Sequence, residues 1–124
     1  KAFADRWVIW EKDFPTGEEL AAMLERRYPD LRSEFTEAIV RLTTEVNESF
    51  TSIDSGTRVE TPMSLRTTLD RLPVGLRLHV DADDPLRRAW EDMVLPHVDT
   101  YDRDHYETVW NAVVRKGPSG SPWA

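Results

Sequence analysis

Two stretches of the chain carry side chains whose type and spacing could do chemistry. The first is Thr61-Pro-Met-Ser-Leu-Arg-Thr-Thr-Leu-Asp70, with Arg66 at its centre. It reads as the opening of a helix. Thr61 can cap a free N–H of the first turn, and Pro62 suits the first helical position, where its missing N–H is no loss. Leu65, Leu69 and Leu72 recur at helical spacing and predict a core-facing stripe, with Arg66 just off it. A cation in a first turn opposes the helix dipole unless an anion shares the site. Arg66 is therefore a candidate phosphate ligand, with a solvated surface arginine as the plain alternative. The second stretch holds His97, Asp99, Asp102, Asp104 and His105. Two imidazoles and three carboxylates could ligate a divalent metal. Their spacing matches no established ligand pattern, and the glycine of a calcium loop is missing. The preferred reading has Asp99 and Asp102 making a turn and capping the last helix, with no metal.

Other chemistries find no support. No Gly-rich phosphate loop is present, since Gly117 and Gly120 have no helix after them. Nor does a local motif back a Ser/His/Asp arrangement. The paired carboxylates Glu18/Glu19 and Asp83/Asp84 suit first-turn dipole partners. The chain has no cysteine, which removes disulfides, thiolate zinc sites and cysteine nucleophiles. That absence permits a reducing, cytoplasmic setting. A net charge of -7 argues against a nucleic-acid or anionic-membrane binder. No apolar run approaches the ~20 residues of a membrane span.

With 124 residues, 40% hydrophobic and 31% charged, the chain suits one soluble domain with a real core. The elements that must position Arg66 can be traced in order. Trp7-Val-Ile-Trp10 reads as one short strand. A lone strand needs partners, so its sheet is expected upstream of Lys1. The missing initiator methionine agrees with a processed chain or an excised piece. Thr16 and Glu19 match a capping box opening a helix over 17–27, with Leu20, Met23 and Leu24 inward and Pro29 as its stop. A second helix is expected over 31–50, with Leu31, Phe35, Ile39, Leu42, Val46 and Phe50 on one face. A polar loop, 51–60, leads to the Arg66 helix, which Pro73 and Gly75 should kink or break. Further helices are expected over 85–94 and 102–115, placing Trp90 and Trp110 in the core. The Gly/Pro/Ser-rich stretch 116–124 reads as a flexible tail. The fold class is mainly α, a bundle of four to five helices with one short N-terminal strand. Residues 1–12 are expected to be the end of an upstream sheet-bearing core and 13–115 the helical domain.

In this order, three segments resemble the C-terminal end of an AAA+ ATPase of the MoxR branch, which includes CobS, CbbQ and NorQ-like chaperone ATPases. Ala2-Phe-Ala-Asp-Arg-Trp-Val-Ile-Trp10 resembles the family's L-x-D-R-F segment entering the last core strand. Phe14-Pro-Thr-Gly-Glu-Glu-Leu-Ala-Ala-Met-Leu-Glu-Arg-Arg-Tyr-Pro29 resembles the Y-P-x-x-x-E turn and first lid helix. Thr61-Pro-Met-Ser-Leu-Arg-Thr-Thr-Leu69 resembles the start of the sensor 2 helix, with Ser64-Leu-Arg66 keeping the spacing of the family's serine and arginine. The resemblance spans roughly residues 2–114.

The resemblance implies a helical lid beside a nucleotide-binding core, with Arg66 as the sensor 2 arginine on the phosphates of ATP. It also implies that Arg6 lies in the segment that supplies an arginine finger to a neighbouring subunit; a salt bridge at the strand start is the alternative. ATP and Mg2+ would be held by the upstream core, whose phosphate loop and acidic residues are not in this chain, so residues 1–124 alone should not hydrolyse ATP. Family members form rings of neighbouring subunits and work with von Willebrand factor A-type partners. Two other readings stand beside this one: a stand-alone acidic helical interaction module, and a small metal-binding helical protein using His97 to His105.

Overall fold

The computed structural model describes residues 14–51, 62–115 and 117–124. The strand expected at 7–10, the core segment 1–12 and Arg6 lie outside the described residues, as do Thr61 and all but Thr51 of the expected loop. Helix α1, Gly17–Arg27, opens on a capping box: Thr16 Oγ1 accepts from the Glu19 N–H, and the Glu19 carboxylate accepts from the Thr16 N–H. The helix buries Leu20 and Leu24. Helix α2, Ser33–Thr51, is amphipathic: Phe35, Ile39, Leu42 and Val46 are fully buried, while Glu34, Glu37, Arg41, Glu45 and Glu48 face water.

Leu31 was expected inside this second helix. It instead pairs with Trp123 in a short antiparallel bridge. Residues 117–124, expected as a tail, are held by specific partners at the corner between α1 and α2. The Arg32 N–H donates to the Pro122 carbonyl, and the Ala124 N–H to the Asp30 carbonyl, both at 2.8 Å. Gly120 turns the chain there with φ +85. The Trp123 ring lies edge-on to Tyr28, with the Arg77 guanidinium 4.0 Å from the ring centre. Composition alone reads this stretch as loose, because the aromatic and main-chain partners that hold it are far away in sequence.

The helix bearing Arg66 runs over residues 65–78. It starts later than expected, since Pro62 precedes it, and Ser64 does the capping: Ser64 Oγ accepts from the Thr67 N–H at 3.2 Å. Over Thr67–Arg71 the backbone widens to a π turn, with the Leu72 N–H reaching the Thr67 carbonyl, and then continues as α3, Leu72–Leu78. The expected break at Pro73 and Gly75 does not occur. Pro73 has no N–H for the carbonyl four residues back, Leu69, but the Tyr28 hydroxyl takes that carbonyl at 2.6 Å. Gly75 is buried where α3 meets α4, Pro85–Ala89; a Cβ there would lie 2.7 Å from the Ala89 Cβ.

A second π turn, Trp90–Val94, follows α4 directly, and a single 3₁₀ turn, Leu95–His97, leads on toward α5, Thr100–Val113, which Asp99 caps. The architecture is a mainly α bundle of five α-helices among the described residues. Its core joins Phe35, Ile39 and Leu42 of α2 to Leu72 and Leu76 of α3, Leu86 and Trp90, and Tyr106 and Trp110 of α5. Trp90 and Trp110 pack in the core with ring centres 5.3 Å apart and planes tilted by 42°. Among the described residues, no helix is long and apolar enough to cross a membrane.

Candidate functional site

Three contacts fix the start of the Arg66 helix. Asn47, on the buried side of α2, clamps the backbone of Met63: its Nδ2 donates to the Met63 carbonyl at 3.1 Å, and its Oδ1 accepts the Met63 N–H at 2.8 Å. A side-chain amide thus replaces a β-type main-chain pair, which holds Met63 outside the helix and lets Ser64 cap it. One turn on, Thr43 Oγ1 and Thr68 Oγ1 share a buried hydrogen bond at 2.9 Å. Further along, Tyr28 holds Leu69.

Arg66 occupies the second position of this helix and is exposed. It forms no ion pair with any described residue, and Asp70, one turn on, is engaged by Arg27 at 2.7 Å. Among the described residues the guanidinium therefore has no ion-pair partner at the positive end of the helix, in a chain of net charge -7. Beside it opens a cleft of about 200 Å³. Phe14, Pro15 and Leu20 form one wall, and Met63 and Leu65, the residue before Arg66, form the other. Thr43, Thr44, Asn47 and the Glu48 carboxylate supply polar groups from α2. An apolar slot with a few polar groups suits a flat, partly polar ring; Arg66 follows Leu65 in the chain and does not itself line the slot.

The metal-ligand candidates are dispersed. Asp99 Oδ1 accepts from the Tyr101 N–H as the cap of α5, Asp102 is buried, and His97 and Asp104 face water. No group of three or more His, Asp or Glu side chains among the described residues could hold a metal ion. The most strongly paired charges are elsewhere. Arg87 grips Glu107 with two bonds, at 2.9 and 2.7 Å, and Trp90 Nε1 donates to the same carboxylate. The Arg87 hydrogen bond holds the Glu107 carboxyl below its ordinary range, against partial burial. This pair staples α4 to α5.

Sequence reasoning singled out Arg66 but missed Asn47, Tyr28 and the cleft. Asn47 had a signal, being an amide one residue from Val46 on an otherwise apolar face. For Tyr28 nothing local reports the contact between its hydroxyl and a carbonyl 41 residues away. No family model, curated protein or solved structure matches this chain.

Proposed function

We propose that this chain is the nucleotide-facing helical lid of an AAA+ ATPase of the MoxR type, with Arg66 as its sensor 2 arginine. The observation that carries the reading is the shared mouth of two elements. The start of α1 and the start of the Arg66 helix line one apolar cleft, and Arg66, which has no ion pair among the described residues, directly follows Leu65 of that lining. In such a lid the cleft faces the base and ribose of ATP, and Arg66 donates several N–H bonds to the phosphates. An upstream core supplies the phosphate loop and the Mg2+ ligands. Neighbouring subunits of a ring contribute finger arginines, and a von Willebrand factor A-type protein is the candidate partner. Photolabelling tests this in the protein extended through its upstream sequence, using an ATP analogue with an aryl azide on the γ-phosphate. The label is expected on residues 62–71; labelling confined to other parts of the protein overturns the reading.

One observation favours a second reading, an acidic helical interaction module. Val74 and Leu78 lie one turn apart on α3 and are 47% and 66% exposed. A partner-binding helix presents such a pair. Photolabelling separates the two, since a plain interaction module takes no label at 62–71.

A further inference from the structure

A second cleft, of about 150 Å³, opens along the Arg66 helix. It is lined by Ser64, Thr67 and Arg71 of that helix, by His97 at the 3₁₀ turn and by Tyr106 of α5, with Pro62, Met63, Val94 and Val98 completing its wall. Its polar lining is made of groups able to donate. Arg71 is a permanent cation, and His97 becomes one on protonation. Both lack an ion pair among the described residues. Ser64 and Thr67 place their hydroxyl oxygens 3.1 Å apart. Tyr106 is fully buried, and burial, with the Asp102 charge, pushes its hydroxyl well above the ordinary tyrosine range, so it keeps its proton. No carboxylate lines the cleft among the described residues, although the chain has 23 Asp and Glu.

We propose that this cleft binds a tetrahedral oxyanion, inorganic phosphate or a phosphoryl group, with Arg71 as its principal ligand and His97 closing over it. A planar guanidinium gives two parallel N–H bonds to two oxygens of such an anion. Hydroxyls at 64 and 67 reach the remaining oxygens, and a protonated imidazole adds a second charge. The site is distinct from the first cleft, since among the described residues the two linings share only Met63. It stands whether or not the nucleotide reading holds.

The test is a titration of the full ¹⁵N-labelled chain with inorganic phosphate against chloride of equal ionic strength, followed at the Ser64 and Thr67 amides and the Arg71 side chain. Saturable shifts in the millimolar range or below are expected. Arg71→Gln should weaken binding at least tenfold, His97→Asn should weaken it less, and Arg26→Gln, an exposed arginine outside both clefts, should leave it unchanged. Shifts that never saturate overturn the site. So does binding that survives Arg71→Gln, or binding that Arg26→Gln abolishes. Should Arg71→Gln lose its native amide dispersion, the wild-type saturation and the His97→Asn effect decide the matter. Adenosine monophosphate in place of phosphate distinguishes the sources: equal affinity marks a phosphate site, and tighter binding marks a phosphoryl group carried on a nucleotide.

Discussion

The Tyr28 hydroxyl donates to the Leu69 carbonyl at 2.6 Å, and Leu69 lies four residues before Pro73. The bond satisfies the acceptor that proline leaves open in a helix, so a helix that should break continues through its π turn. Tyr28→Phe is expected to cost about 1–2 kcal/mol, the usual cost of stranding a partly buried acceptor. Pro73→Ala supplies a backbone N–H of its own. In that background Tyr28→Phe should cost measurably less in urea unfolding. Equal cost in both backgrounds would separate the hydroxyl from the proline.

Asn47→Ala removes both halves of the clamp on Met63. Leaving a buried N–H and carbonyl without that partner should cost about 2–4 kcal/mol, at 1–3 kcal/mol per stranded group with some relaxation. Asn47→Asp keeps the acceptor and loses the donor, so it should fall between wild type and alanine. Chemical denaturation of the three proteins checks the order.

Gly75→Ala sets helix propensity against packing. Alanine is favoured over glycine by about 1 kcal/mol in a helix interior. Here its methyl would meet the Ala89 Cβ at 2.7 Å and the Met93 Cγ at 3.0 Å, and it would lie 3.1 Å from the Ala89 backbone. Overpacking of this kind costs about 1–3 kcal/mol, so net destabilisation is expected. A raised thermal midpoint would show that α3 and α4 can separate freely.

The helices were legible in the sequence and their joints were not. The α2 stripe from Phe35 to Val46 and the Thr16/Glu19 cap are local patterns, and both stand where periodicity and capping chemistry put them. Pro73 and Gly75 misled because each is compensated from afar, by Tyr28 and by the close approach of Ala89. The helix start moved from Pro62 to Leu65 for the same reason, since Asn47 sits sixteen residues before Met63. Arg66 was legible as a candidate because a cation in a first turn is an anomaly visible in one dimension.

Acid stability should follow Glu107. Its carboxyl is held below the ordinary range by the Arg87 hydrogen bonds, so the folded state binds that proton less readily than the unfolded chain does. The contribution is present above the unfolded carboxylate value, ~4.3. It is lost as pH falls through the lower, folded value. Glu107→Gln should therefore flatten the decline in stability below about pH 4.3, while lowering stability at neutral pH. The carboxylate is partly exposed, so solvent screening keeps the effect modest. Parallel pH profiles for the two proteins would contradict it.

Arg66 is the residue on which a nucleotide-sensing role depends most, and steady-state ATP turnover of the protein extended through its upstream core is the most direct measure of it. Arg66→Ala, with the helical content and thermal midpoint of wild type, should turn over saturating ATP at least tenfold more slowly, as loss of one charge-assisted phosphate contact implies. Turnover equal to wild type at saturating ATP would contradict the assignment of this helix as a nucleotide sensor.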